Sequence, residues 1–530
     1  MTVFLRFRRY RPQRSGLLLA TLVAPSVVWM AVLASQAGTG IEVQHAVLPP
    51  QSSASSTSID TNQNWKYVGI SSCAAAACHG GTMHDPPPPD RTRENRSAYR
   101  VWVEQDKKHA NAYSVLFRDD AKQMARRLGP PLDPNHMEHA RLCLDCHSNN
   151  ARNRAPSLAQ EDGVSCESCH GPASAWKDQH WLGSWKTKTV AEKQALGMNN
   201  LRGDLVARAR ACVDCHVGSA DREVNHDLIA AGHPRLNFEF AAFHETLPHH
   251  WSEAQDRALV SQQAGVPFDG ALWVVGQVVS ARAAAALLDR RAQRVSSPSN
   301  KQPWPELSEY DCYACHHPLV PNSWRQQVSS LPSDKRVRPG MPRPNSWYFS
   351  MLAPIHEELR WEVGGTDVGM FTRSATGRFD QETPDLAQIR LAKESLTALE
   401  RRLSWSPTNR GLPFSREQLR LLLNRVTRLQ SDDRITDWDR VAQAYLAAVP
   451  LQSAIRETTS GPGHAPATDP RARDLLKKIV HALEFPANSQ SPSEMEWGDE
   501  GRDSRGRSAI DLLQRLPRLI EEQSNSRSSR

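Results

Sequence analysis

The chain has 530 residues, 39% of them hydrophobic and 23% charged, with a formal charge of +7. The length suits two to four domains. The charge is not a nucleic-acid signal, because Arg6, Arg8, Arg9, Arg11 and Arg14 all precede an apolar N-terminal run, and without them it falls to about +2.

Residues 1–37 read as a signal peptide or an N-terminal membrane anchor. An arginine-rich start leads into the apolar run Leu17 to Leu33, and Ser35-Gln36-Ala37 offers a small-residue cleavage site. Residues 38–64 are Ser/Gln/Thr-rich without apolar periodicity and read as a flexible linker. Cys73-Ala-Ala-Ala-Ala-Cys78-His79 follows, and Pro86 to Pro89 then stiffen the chain. The pattern from Ser97 to Leu128 predicts helix and contains His109. Next come Cys143-Leu-Asp-Cys146-His147, Cys166-Glu-Ser-Cys169-His170 and Cys212-Val-Asp-Cys215-His216. A long helix is predicted from Ala271 to Arg294, with Asp269 near its N-cap and arginines at its C-terminal end. Cys312-Tyr-Ala-Cys315-His316 is the last of the series.

These five sites use all ten cysteines. Two cysteines separated by two residues and followed at once by histidine form the c-type haem attachment signature, of which the first site is a stretched version with four residues between its cysteines. Cys73, Cys78, Cys143, Cys146, Cys166, Cys169, Cys212, Cys215, Cys312 and Cys315 would bind five haems covalently. His79, His147, His170, His216 and His316 would be the proximal iron ligands. A disulfide framework would not explain a histidine after the second cysteine all five times. Zinc sites of this type pair two such halves, and five is odd.

A low-spin electron carrier needs a sixth ligand on each iron, whereas an open position binds small molecules. His226 and His233, seven apart, would share one helix face and could serve two neighbouring haems. Pro234 would end that helix. His109 lies in an apolar helical pattern, and His180 is flanked by Trp176 and Trp181, whose indoles could pack on porphyrin. For the fifth ligand His250, His139 and His84 compete, with His317 and Met137 behind them. His45, His464 and His481 read as solvent residues.

Beyond the basic, proline-rich stretch from Val328 to Asn345 no cysteine occurs. A boundary there divides a haem-binding domain, residues 65–350, from an α-helical region of unknown role, residues 351–530. In the latter Thr383 is expected to cap a helix with Pro384 at its first position. Ser415 to Gln418 form a capping box, and further helices are expected at Trp438–Ile455, Arg471–Leu483 and Ala509–Glu521.

The chain resembles the cytochrome c-554 family of multihaem cytochromes. The resemblance is carried by Cys73 to Gly81, His109 to Tyr113, Cys166 to Pro172 with His180, His226 to Leu236, and Asp311 to Pro318. It implies a mainly α, loop-rich fold with closely stacked haems, commonly bis-histidine, over residues 65–350. Smaller members carry four haems, one of which can lack a distal ligand. The function expected is that of a periplasmic or otherwise extracytoplasmic pentahaem cytochrome, more an electron carrier than a catalyst. Its partners would be redox proteins, with membrane association through the N-terminal segment and no nucleic acid. The alternative is a multihaem oxidoreductase acting on a small nitrogen or sulfur compound at a five-coordinate haem.

Overall fold

A computed structural model describes residues 65–82, 96–149, 160–220, 222–264, 266–296, 304–316, 344–359, 383–404, 415–429, 438–460, 469–484 and 505–528. The expected signal or anchor, the linker, Pro86 to Pro89 and most of the stretch from Val328 to Asn345 lie outside these residues. The protein is mainly α, and among the described residues there are no strands, only isolated bridges such as those of Ser219 with Arg222 and Tyr310 with Pro344.

The helix Phe268–Val295 is the common wall of the molecule. Its sequence is apolar almost all round, which suits burial on most sides. Its length and hydropathy would also suit a membrane span, but most of it is buried inside the protein. On one side it packs against Leu205–His216 and Phe240–Thr246, and on another against Leu386–Leu403 and Trp438–Ser460. Gly276 permits the closest approach, because a Cβ there would meet the Phe240 Cβ at 2.6 Å. Pro267 occupies the N-cap. Asp269 lies in the first turn and pairs with Arg257 at 2.7 Å. At the other end Arg291, nearly buried, meets Glu223 at 2.9 Å and Glu309 at 2.5 Å.

The C-terminal helices follow their apolar stripes closely. Ile389, Leu396, Leu399 and Leu403 are buried on Leu386–Leu403. The cap of that helix is Asp385, whose side chain accepts from the Gln388 N–H, so the start lies just beyond the Thr383-Pro384 pair. Ser415 and Gln418 form a reciprocal capping box at the head of Arg416–Thr427. Trp438–Ser460, Pro470–Leu483 and Arg505–Ser528 complete the layer. Two of its carboxylates reach across to the haem-motif side. Glu400, 1% exposed, pairs with both Arg210 and Arg282. Asp439 binds Arg235 through two bonds of 3.0 and 2.6 Å.

Around the motifs the helices are short. The expected helix from Ser97 to Leu128 breaks into Ala98–Arg100, a wide turn at Val101–Gln105, Lys107–Ala110, Ser114–Phe117 and Asp119–Leu128. Asp106 explains one break, since its side chain caps Lys107–Ala110 by accepting from the His109 N–H. His226 and His233 do not share a helix face. The helix His226–Ala231 stops at Gly232, whose φ of 121° is one glycine adopts readily, and His233 lies past the turn.

Candidate haem-binding site

Each motif histidine has a second imidazole opposite it. His79 faces His180 with ring centroids 6.1 Å apart, and His147 faces His233 at 6.4 Å. His170 faces His250 at 6.1 Å, His216 faces His109 at 6.1 Å, and His316 faces His226 at 6.2 Å. The interplanar angles run from 13° to 87°, so ring stacking does not explain the shared distance. Metal–imidazole bonds of about 2.0 Å, with each nitrogen roughly 1.1 Å from its centroid, put two imidazoles across one iron about 6.2 Å apart. The donor set and its spacing therefore fit a haem iron between each pair.

The hydrogen bonds orient these rings. His147 Nδ1 donates to the Ala112 carbonyl at 2.8 Å, His180 Nδ1 to the Lys177 carbonyl at 2.6 Å, and His233 Nδ1 to the Pro234 carbonyl at 2.8 Å. His109 Nδ1 is 2.6 Å from the Asp106 carboxylate. Each bond fixes the tautomer that leaves Nε2 with a free lone pair, the arrangement of a metal-ligating histidine. Burial also favours the neutral form of His147, His170, His216, His233 and His250, as ligation requires. It pushes His170 down to about 3 and His216 and His250 down to about 4.

None of the ten cysteines is in a disulfide. The side chains of Cys73 and Cys166 are neighbours, and so are those of Cys146 and Cys215. Cys169 lies within electrostatic reach of Cys212 and Cys215. The attachment sites thus run in space as first, third, fourth, second. The fifth adjoins the second through the single turn that carries His226 and His233.

Several polar residues that spacing alone did not single out tie the motifs together. Glu167, buried between Cys166 and Cys169, accepts from the N–H groups of Val68, Gly69 and Ala173 at 2.8–3.1 Å. Asn149 Oδ1 accepts from the Ser165 N–H at 3.0 Å and from the Ser168 hydroxyl at 2.5 Å. The segment bearing His250 is braced by Arg208, whose guanidinium contacts Asp256 at 2.8 and 2.9 Å and His244 at 2.9 Å. The Asp-x-x-His spacing of Asp106 and His109 was visible in the sequence as a possible cap, while the reach of Glu167 across 99 residues was not.

The remaining expected ligands lie elsewhere. His139 faces none of the motif histidines and stands beside His136 and Glu138 at the surface. Met137 is buried in a small cluster with Leu116 and Leu144. Trp176 contacts His180 edge-on at 5.5 Å, but Trp181 is 60% exposed. His84, His317, His45 and His464 lie outside the described residues, and His481 is on the surface near Glu484.

Comparison with curated proteins finds no match, and comparison with solved structures finds none either. A family model described as cytochrome c554 and c-prime matches residues 72–171, which hold the first three attachment sites. Members of that family carry covalently bound haem c, transfer electrons and are typically extracytoplasmic. Over residues 72–171 the chain is thus similar to the cytochrome c554 family.

Proposed function

We propose that the chain is an extracytoplasmic pentahaem electron carrier in which all five irons have two histidine ligands. The observation that carries this reading is the common separation of 6.1–6.4 Å across five histidine pairs that differ in ring angle and in local structure. Haem c, when bound, supplies one-electron redox chemistry at potentials set by its ligands and surroundings.

The chain's own residues hold and orient the groups. The ten cysteines would supply the thioethers; His79, His147, His170, His216 and His316 would hold the iron from one side, and His180, His233, His250, His109 and His226 respectively would hold it from the other. Carbonyls and the Asp106 carboxylate lock the rings. Glu167 and Asn149 hold neighbouring motifs at contact distance. The order of attachment sites, first–third–fourth–second–fifth, makes an unbranched series suited to carrying electrons between redox partner proteins. An oxidoreductase would need an iron with a vacant sixth position, and the opposed imidazoles speak against one.

Electron paramagnetic resonance of the oxidised holoprotein, with haem stoichiometry from the pyridine haemochrome, tests this. Five haems per chain, all low-spin, are expected, and His250→Ala should convert one of them to high-spin. A high-spin haem in the unaltered protein, or fewer than five haems, would overturn the proposal.

A further inference from the structure

Outside the five pairs, one cluster has the composition of a metal site. The turn Met137–His139 buries Met137, and the next residue, Ala140, is buried too. That alternation leaves His136, Glu138 and His139 together on the outside. His136 Nδ1 is 3.0 Å from a Glu138 carboxylate oxygen, and His139 Nε2 is 3.9 Å from the same oxygen. One donor atom from each residue lies within 4.8 Å of the others. Donors about 2.0–2.2 Å from one tetrahedral ion stand roughly 3.4 Å apart, so the cluster needs only side-chain adjustment to close. The two rings lie 6.1 Å apart at 25°. That distance is close to the roughly 6.2 Å of a linear pair and longer than the roughly 5.1 Å across a tetrahedral ion, so the two exposed rings would have to draw together by about 1 Å.

We propose that His136, Glu138 and His139 form a surface site for a divalent late transition-metal ion, with copper(II) the tightest binder. Two imidazoles and one carboxylate suit copper or zinc and not calcium or magnesium, which favour all-oxygen sets. The Irving–Williams order places copper(II) above zinc at such a site. Water completes the coordination, since both histidines face solvent. Ala140 caps the helix Arg141–His147, so a bound ion would be joined to the second haem motif by one rigid turn. The site is distinct from the haem ligands, and its existence does not depend on the electron-carrier reading.

The test uses the full-length, haem-loaded protein, stripped with chelator and titrated with copper(II). One equivalent should bind, with nitrogen hyperfine structure in the copper resonance signal. Zinc should compete for it. In the double variant His136→Gln with His139→Gln affinity should fall at least a hundredfold, and in Glu138→Gln roughly tenfold. Unchanged haem signals would show that both variants fold. Equal copper binding by the double variant, or none by the unaltered protein, would overturn the proposal. Failure of the electron-carrier reading would appear separately, in the haem signals.

Discussion

The motif-bearing part of the molecule and its C-terminal helices hold together by different means. Between Trp65 and Met198 the apolar side chains form only small clusters, such as Ala173, Trp176 and Trp185. Order there comes from side chains bound to distant backbone, as with Glu167 and Asn149, and from short helices ending in a motif histidine. Beyond Leu386 the helices run 12–24 residues and share one continuous apolar core. Short helices are marginal alone and need tertiary partners. One part therefore has little apolar core of its own among the described residues, while the other builds a continuous one from leucine, valine and alanine.

The largest expected effect follows directly. In a chain made without haem attachment, residues 65–200 should lose their amide protection entirely, while Leu386–Leu403 and Pro470–Leu483 keep theirs. Hydrogen exchange read by mass spectrometry would measure this, and equal protection in both parts would break the comparison. Next come paired substitutions in the holoprotein. Leu396→Ala should cost about 3 kcal/mol by opening a cavity and leave the haem spectrum unchanged. Glu167→Ala should cost a similar amount, about 3 kcal/mol, by stranding three buried N–H groups. It should also shift the haem spectrum, because those groups belong to the segments that carry the first and third motifs.

A smaller effect concerns the seam between the two parts. His244 is buried beside the Arg208 guanidinium, and burial followed by that charge pushes its pKa down from 6.5 to about 2. Below pH 6.5 the unfolded chain takes up a proton there and the folded protein does not. Stability should therefore fall with acid, by ~2 kcal/mol between pH 6.5 and pH 5. His244→Phe should flatten that slope in urea titrations at several pH values. The smallest effect is electronic. Asp106→Asn would weaken the electron donation that His109 gains from the carboxylate. One haem potential should rise by roughly 60 mV, a tenfold change in a one-electron equilibrium. Spectropotentiometry would resolve it.

The sequence carried the two parts unequally. Ser415 and Gln418 announce a helix, and Leu396, Leu399 and Leu403 announce its buried face, because local pattern and tertiary packing agree there. Cysteine-histidine spacing marks the candidate attachment sites for a similar reason, since each motif lies within five or seven residues. The distal partners are another matter. His250 faces His170 across 80 positions, and nothing near His250 in the chain marks it above His139. Helical periodicity suggested one face for His226 and His233, but Gly232 redirects the chain, so the two rings face different motifs. Pairings made by three-dimensional closure leave little trace in local spacing.

The closeness of the Cys73 and Cys166 side chains, and that of Cys146 and Cys215, bears on how the protein is made. In an oxidising compartment such neighbours are substrates for disulfide formation, and either bridge would consume thiols from two attachment sites at once. A chain that reached this fold with bare cysteines would be driven toward a dead end. On the proposed function haem loading would therefore have to outpace folding, and the attachment machinery would act, in effect, as the chaperone of this region by keeping it from closing too soon.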